Sequence, residues 1–129
     1  MESKGKKILI ADDEPDILEI IQYNLSKEGY DVVTAKDGDE AVGKAKMTRP
    51  DLIILDIMMP YLDGWDELKL FNLDEELRGI PVIIITGDRN AFKGVDNAAG
   101  YGVVGHLFKA FEFSELLAMV RANLKGGIA

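Results

Sequence analysis

The sequence predicts an α/β fold: a five-stranded parallel sheet, doubly wound as (βα)5 in three α/β/α layers. Two observations carry this. Five short runs rich in Ile, Leu and Val are continuously apolar, as strands covered on both faces must be, and do not alternate with polar residues as half-exposed strands do. Between them lie longer segments with helical spacing, set off by cap and turn residues.

In chain order, "KILIA" (7–11) reads as the first buried strand. "PDILEIIQYNLSKEG" follows, placing Ile17, Leu18, Ile20, Ile21 and Leu25 on one helical face, with Pro15 in the tolerant first turn and Gly29 as a stop. "YDVVTA" (30–35) is the second strand. Asp37 can cap a helix over "GDEAVGKAKM", whose small apolar face is Ala41, Val42 and Ala45 and whose weak point is Gly43. "DLIIL" (51–55) is the third strand. Asp63 and Gly64 open a helix carrying Trp65, Leu68 and Phe71, and "PVIIIT" (81–86) is the fourth strand. A poor helix containing Gly94 is expected over 88–98. "GVVGHLF" (102–108) is the fifth strand, and "SELLAMVRANLK" (114–125) is a strongly amphipathic closing helix with basic residues near its end.

The totals bound the function. A length of 129 residues suits one domain, 1–129, with a core large enough to need no staples. There is no cysteine, which excludes disulfides and thiolate metal sites. The first apolar run breaks at Asp12, too early for a signal peptide, and no run approaches the ~18 residues of a membrane span. A cytoplasmic protein without membrane contact is expected. The net charge of −8 disfavours direct nucleic-acid binding, which needs a basic face.

In an open parallel sheet, sites form beyond the carboxyl ends of the strands. Strand one ends on Asp12, Asp13 and Glu14, strand three on Asp56, strand four on Thr86 followed by Gly87, and strand five runs into Lys109. Asp56 closes the apolar run "PDLIILDIMMP", where an unpaired carboxylate would be expensive to bury. Two carboxylates 4 Å apart repel by roughly 4 kcal/mol at an effective dielectric near 20, so the cluster calls for a cation. Oxygen donors without sulfur select a hard ion such as Mg2+, which also accepts phosphate oxygens. A carboxylate nucleophile, a divalent ion, an ammonium and a hydroxyl make a phosphoryl-transfer site, with Gly87 leaving room for the group.

The motifs "ILIADDEPD", "PDLIILDIMMPYLDG", "IPVIIITG" and "HLFKAF", in that order over essentially the whole chain, resemble the receiver domain of bacterial two-component response regulators. That resemblance implies the flavodoxin-like topology and a phosphorylation-activated signalling switch. It implies Asp56 as phosphoacceptor, Mg2+ held by Asp13, Asp56 and the Met58 backbone carbonyl with help from Asp12, and Thr86 and Lys109 on the phosphoryl group. The implied partners are a sensor histidine kinase or phosphotransfer protein as donor and a downstream effector protein or domain, with a phosphorylation-linked dimer among the states it admits. The chain would catalyse its own modification and slow dephosphorylation without being a turnover enzyme. The surface of the fourth helix, fifth strand and closing helix would carry the output.

Two departures stand out. Lys109 is followed by Ala110 where the family usually carries a proline in a cis peptide, and non-prolyl cis bonds are far less favoured. The bond is either cis, the expectation, or trans with Lys109 aimed elsewhere. His106 occupies a position where the family usually has an inward-swinging Tyr or Phe, leaving a plain strand histidine or a smaller rotameric switch. Three rivals share parts of the pattern. A haloacid-dehalogenase-type phosphatase needs a second acid where Met58 stands, a flavodoxin-type FMN binder would meet repulsion from "DDEP", and a degenerate receiver would bind partners without phosphorylation.

Overall fold

The computed structural model describes residues 5–57, 64–90 and 102–124, the side chains of 64–67 excepted. The elements are β1 (Lys7–Ala11), α1 (Pro15–Lys27), β2 (Asp31–Ala35), α2 (Gly38–Thr48), β3 (Leu52–Asp56), α3 (Gly64–Leu73), β4 (Val82–Thr86), β5 (Val103–Phe108) and α4 (Phe113–Leu124). All strand pairings are parallel, in the order β2-β1-β3-β4-β5. Every residue of β3 and β4 is buried, as continuous apolar runs require at the centre of a covered sheet.

The order reverses between β1 and β3, so successive crossovers lay helices on opposite faces. One face packs Ile8, Ile10, Ile54 and Ile83 against Ile21 and Leu25 of α1 and Leu116 and Val120 of α4. The other packs Leu9, Ile53, Leu55 and Ile84 against Ala41 and Ala45 of α2 and Leu68 and Phe71 of α3. The same reversal opens a crevice beyond the ends of β1 and β3, where Asp12 and Asp56 stand.

Local signals account for most boundaries. Gly29 follows α1 at φ 96°, a left-handed position that glycine takes without a Cβ clash. Asp37 caps α2 by accepting from the Glu40 amide at 2.8 Å. Such a cap is worth about 1 kcal/mol, which offsets the similar cost of Gly43 inside the helix. In α4, Glu115 reaches back to the Glu112 amide at 3.0 Å, half of a capping box.

One helix-face expectation is corrected. Ile20 is 55% exposed, although Ile17, Leu18, Ile21 and Leu25 do face the core. At 100° per residue Ile20 sits about 110° from the centre of that stripe, too far round to touch the sheet. The helix expected over 88–98 lies outside the described residues from 91 onward, and 89–90 form a turn. Asp63 and the side chain of Trp65 also fall outside. In β5 the register slips opposite the Val82–Ile83 step, leaving Val104 unpaired. Beyond this bulge His106 pairs with Ile84 and Phe108 with Thr86.

Candidate phosphoryl-transfer and metal site

Four strand ends build the site. The Asp12 amide donates to the Ala35 carbonyl at 3.0 Å, tying the end of β1 to β2. Asp12 Oδ1 accepts from the Glu14 amide at 2.9 Å, which turns the chain into α1. Asp56 ends β3 beside Ile85, so Thr86 stands one residue beyond it on the neighbouring strand. The Lys109 amide donates to the Thr86 carbonyl at 2.8 Å, holding the end of β5 against β4. Asp12, Asp56 and Thr86 are the buried polar residues at this edge.

Lys109 links the ends. Its Nζ donates to Asp56 Oδ2 at 3.0 Å and to Glu14 Oε1 at 2.5 Å, and stands 2.9 Å from Asp12 Oδ2. The last contact is electrostatic: the angle is poor for a hydrogen bond, and Asp12 Oδ2 remains a buried oxygen with no donor aligned on it. The peptide joining Lys109 to Ala110 is cis, as expected, and the ammonium does point at Asp56.

Burial pushes the Asp12 carboxyl up to about 6, with the Asp56 charge adding to it. The Glu14 amide and Lys109 pull the other way but do not overcome desolvation. For Lys109, burial would lower the pKa, but Glu14, Asp12 and Asp56 outweigh it and hold the ammonium above the usual lysine range. Lysine therefore stays charged in the acidic crevice.

The donor set fits a hard dication. Asp12, Asp13, Glu14 and Asp56 each offer a carboxylate oxygen, and these oxygens all lie within 4.8 Å of one another. One ammonium among four carboxylates leaves a surplus of negative charge, and Asp12 Oδ2 presents an oxygen that no hydrogen bond claims. Asp13, at the half-buried rim, completes the acidic turn. Met58 lies outside the described residues.

Thr86 Oγ1 accepts from the Asp88 amide at 3.1 Å, leaving its hydroxyl proton for another acceptor. A Cβ on Gly87 would meet no heavy atom within 4 Å, so the folded chain itself does not demand glycine there. His106 is exposed, edge-on to Phe108 at 5.4 Å between ring centroids, and the Arg89 guanidinium covers the Phe108 ring at 4.9 Å. The residue that sequence reasoning missed is Glu14. Its acidity was visible in "DDE", but its reach to Lys109 depends on where a side chain 95 positions away arrives.

The response regulator receiver domain family model matches residues 8–121. The chain is 41% identical over 123 residues to the alkaline phosphatase synthesis transcriptional regulatory protein PhoP of Bacillus subtilis, covering 94% of this chain and 49% of that protein. It thus spans about half the length of this curated relative. The chemotaxis response regulator CheY4 of Vibrio cholerae superposes with a TM-score of 0.84 at 30% identity, covering 94% of this chain and 100% of that one. The response regulator TrrA of Thermotoga maritima, solved with Mg2+ and BeF, superposes with a TM-score of 0.79 at 31% identity over 92% of this chain and 99% of that one. Among the described residues no helix is long and apolar enough to cross a membrane. By its match along most of its length, the chain belongs to the bacterial response regulator receiver domains, the phosphorylation-activated switches of two-component signalling.

Proposed function

We propose that Asp56 is the phosphoacceptor, taking a phosphoryl group from the phosphohistidine of a sensor histidine kinase or phosphotransfer protein in the cytoplasm. The reading rests on the 3.0 Å contact between Lys109 Nζ and Asp56 Oδ2, with the buried Thr86 at the adjoining strand end. An Asp56 oxygen attacks phosphorus, the new O–P bond forms as the N–P bond breaks, and the electron pair returns to the donor imidazole. Lys109 and the Thr86 hydroxyl take the equatorial oxygens as charge redistributes over them. Asp12, Asp13 and Asp56 would hold Mg2+, together with the Met58 carbonyl. Bound there, the ion supplies charge neutralisation for oxygens brought close to this acidic turn. Slow attack of water on phosphorus returns Asp56 as a carboxylate with release of inorganic phosphate. The domain catalyses its own modification and is not a turnover enzyme.

The output follows from the same geometry. Drawing the Thr86 hydroxyl toward new oxygens pulls on the end of β4, to which Lys109 and Phe108 are paired. That biases the surface of β5 and α4 between two packings. PhoP is named a transcriptional regulatory protein and is about twice as long, which supports an effector that acts on DNA through another domain or protein. Incubation with acetyl phosphate and Mg2+ should add about 80 Da, the mass of one phosphoryl group on a carboxylate nucleophile, and Asp56→Asn should abolish it. A wild-type mass that does not change would refute the reading.

A further inference from the structure

Glu14 occupies the N-cap of α1, a position favouring Ser, Thr, Asp or Asn, whose short side chains bond the first free helical amides. Glu14 makes no such cap bond. Its carboxylate instead reaches Lys109 Nζ at 2.5 Å, and it is the most exposed member of the cluster: its side chain is 55% accessible, against 14% for Lys109 and 0% for Asp12. The helix does not use this side chain, and the lysine does.

The ammonium has three protons. Two are aligned on Glu14 and Asp56, and Asp12 Oδ2 crowds the remaining side at 2.9 Å. A phosphoryl group on Asp56 brings further oxygens toward the same nitrogen, so one partner must yield. Asp56 carries the group. Asp12 is buried and pinned through Oδ1 by the Glu14 amide. Glu14 alone faces water, and an exposed carboxylate that leaves an ion pair regains solvation, so its departure is the least costly.

Resting on the phosphoacceptor reading of Asp56, we propose that Glu14 is a resting-state clasp on Lys109 that competes with phosphoryl oxygens for the ammonium. It is a positioning residue: it sets how readily Lys109 engages an anion on Asp56. The clasp acts by contact and by reach, and not merely as one more negative charge near the crevice. Shortening the side chain by one methylene should therefore release the lysine even though the charge is kept.

The test is beryllofluoride binding at Mg2+ concentrations saturating for each variant, followed by amide resonances of the folded protein. Glu14→Gln and Glu14→Asp should both bind the anion about threefold to fivefold more tightly than wild type, the scale of losing a partly exposed ion pair. Thermal melts confirm that each variant is folded, which its exposed position favours. The proposal is overturned if Glu14→Asp matches wild type, since charge alone would then explain any effect, or if either variant binds no more tightly. Wild-type protein that binds no beryllofluoride overturns the Asp56 reading and this inference with it, whereas equal binding by wild type and variants overturns only the clasp.

Discussion

Lys109 Nζ stands 3.0 Å from Asp56 Oδ2, two side chains 53 positions apart in sequence. A parallel sheet brings them together because both sit just past strand ends on one edge, with β4 between their strands. The lysine side chain is 14% accessible and Asp56 nearly fully buried, so this ion pair is screened little by water. Its removal should have consequences for both chemistry and folding.

Lys109→Ala removes the cation that would meet developing phosphoryl charge. Phosphorylation by acetyl phosphate should slow by about 10²–10³, the usual effect of deleting one preorganised donor. Without Mg2+ the variant should also unfold at lower urea than wild type, since Asp12 and Asp56 lose their shared counter-charge. A rate within threefold of wild type would remove Lys109 from the site.

Asp12 sets a pH dependence. Its folded pKa of about 6 exceeds the unfolded value of 3.8, so the folded chain holds its proton over a range where the unfolded chain has lost it. The contribution is fully present below pH 3.8 and is lost as pH rises through about 6, a change of at most about 3 kcal/mol without metal. Mg2+ binding should run oppositely, weakening as pH falls through about 6 and the carboxylate is protonated. Urea titrations from pH 4.5 to 7.5, with and without Mg2+, read both trends, and Asp12→Asn should flatten the metal-free one.

Gly105 marks where β5 lies against α4. A Cβ there would come within 2.9 Å of the Met119 Sδ. Because a flexible thioether can shift, Gly105→Ala should cost about 1 kcal/mol, near the lower end for overpacking. In the double variant with Met119→Ala, calorimetry should show less than the sum of the two losses; strict additivity would mean that the contact is not felt.

His106 packs edge-on against Phe108, whose register partner is Thr86. A movement of Thr86 on activation should therefore reach the imidazole. Its ring resonances should shift when beryllofluoride and Mg2+ are added, and signals that stay put would leave His106 without a part in switching.

Asp37→Ala should destabilise the fold by about 0.5–2 kcal/mol through loss of the α2 cap while leaving acetyl phosphate labelling at the wild-type rate. Asp37 is thus the control that separates an acidic strand-end residue serving a helix from those serving the site.

By itself the sequence determined the layered sheet and which strand-end residues make up most of the candidate site. Continuous apolar runs such as "LIIL" and "VIII" have one stable use, a strand covered on both faces, and their alternation with helical segments leaves few topologies. Asp12, Asp13, Asp56, Thr86 and Lys109 were legible because position at a strand end is a property of the chain. What only the tertiary structure decided depends on direction and register. Ile20 turned outward because a helix face is narrower than a list of apolar residues, and a bulge at Val104 set which face of β5 carries His106. Whether Lys109 reached Asp56 past Ala110, and which carboxylates would share it, rested on side-chain packing across four strand ends. Glu14 is the plainest case: a neighbour of the acidic pair in sequence, it became the partner of Lys109 only when the sheet set β1 and β5 with β3 and β4 between them and the crevice at their ends.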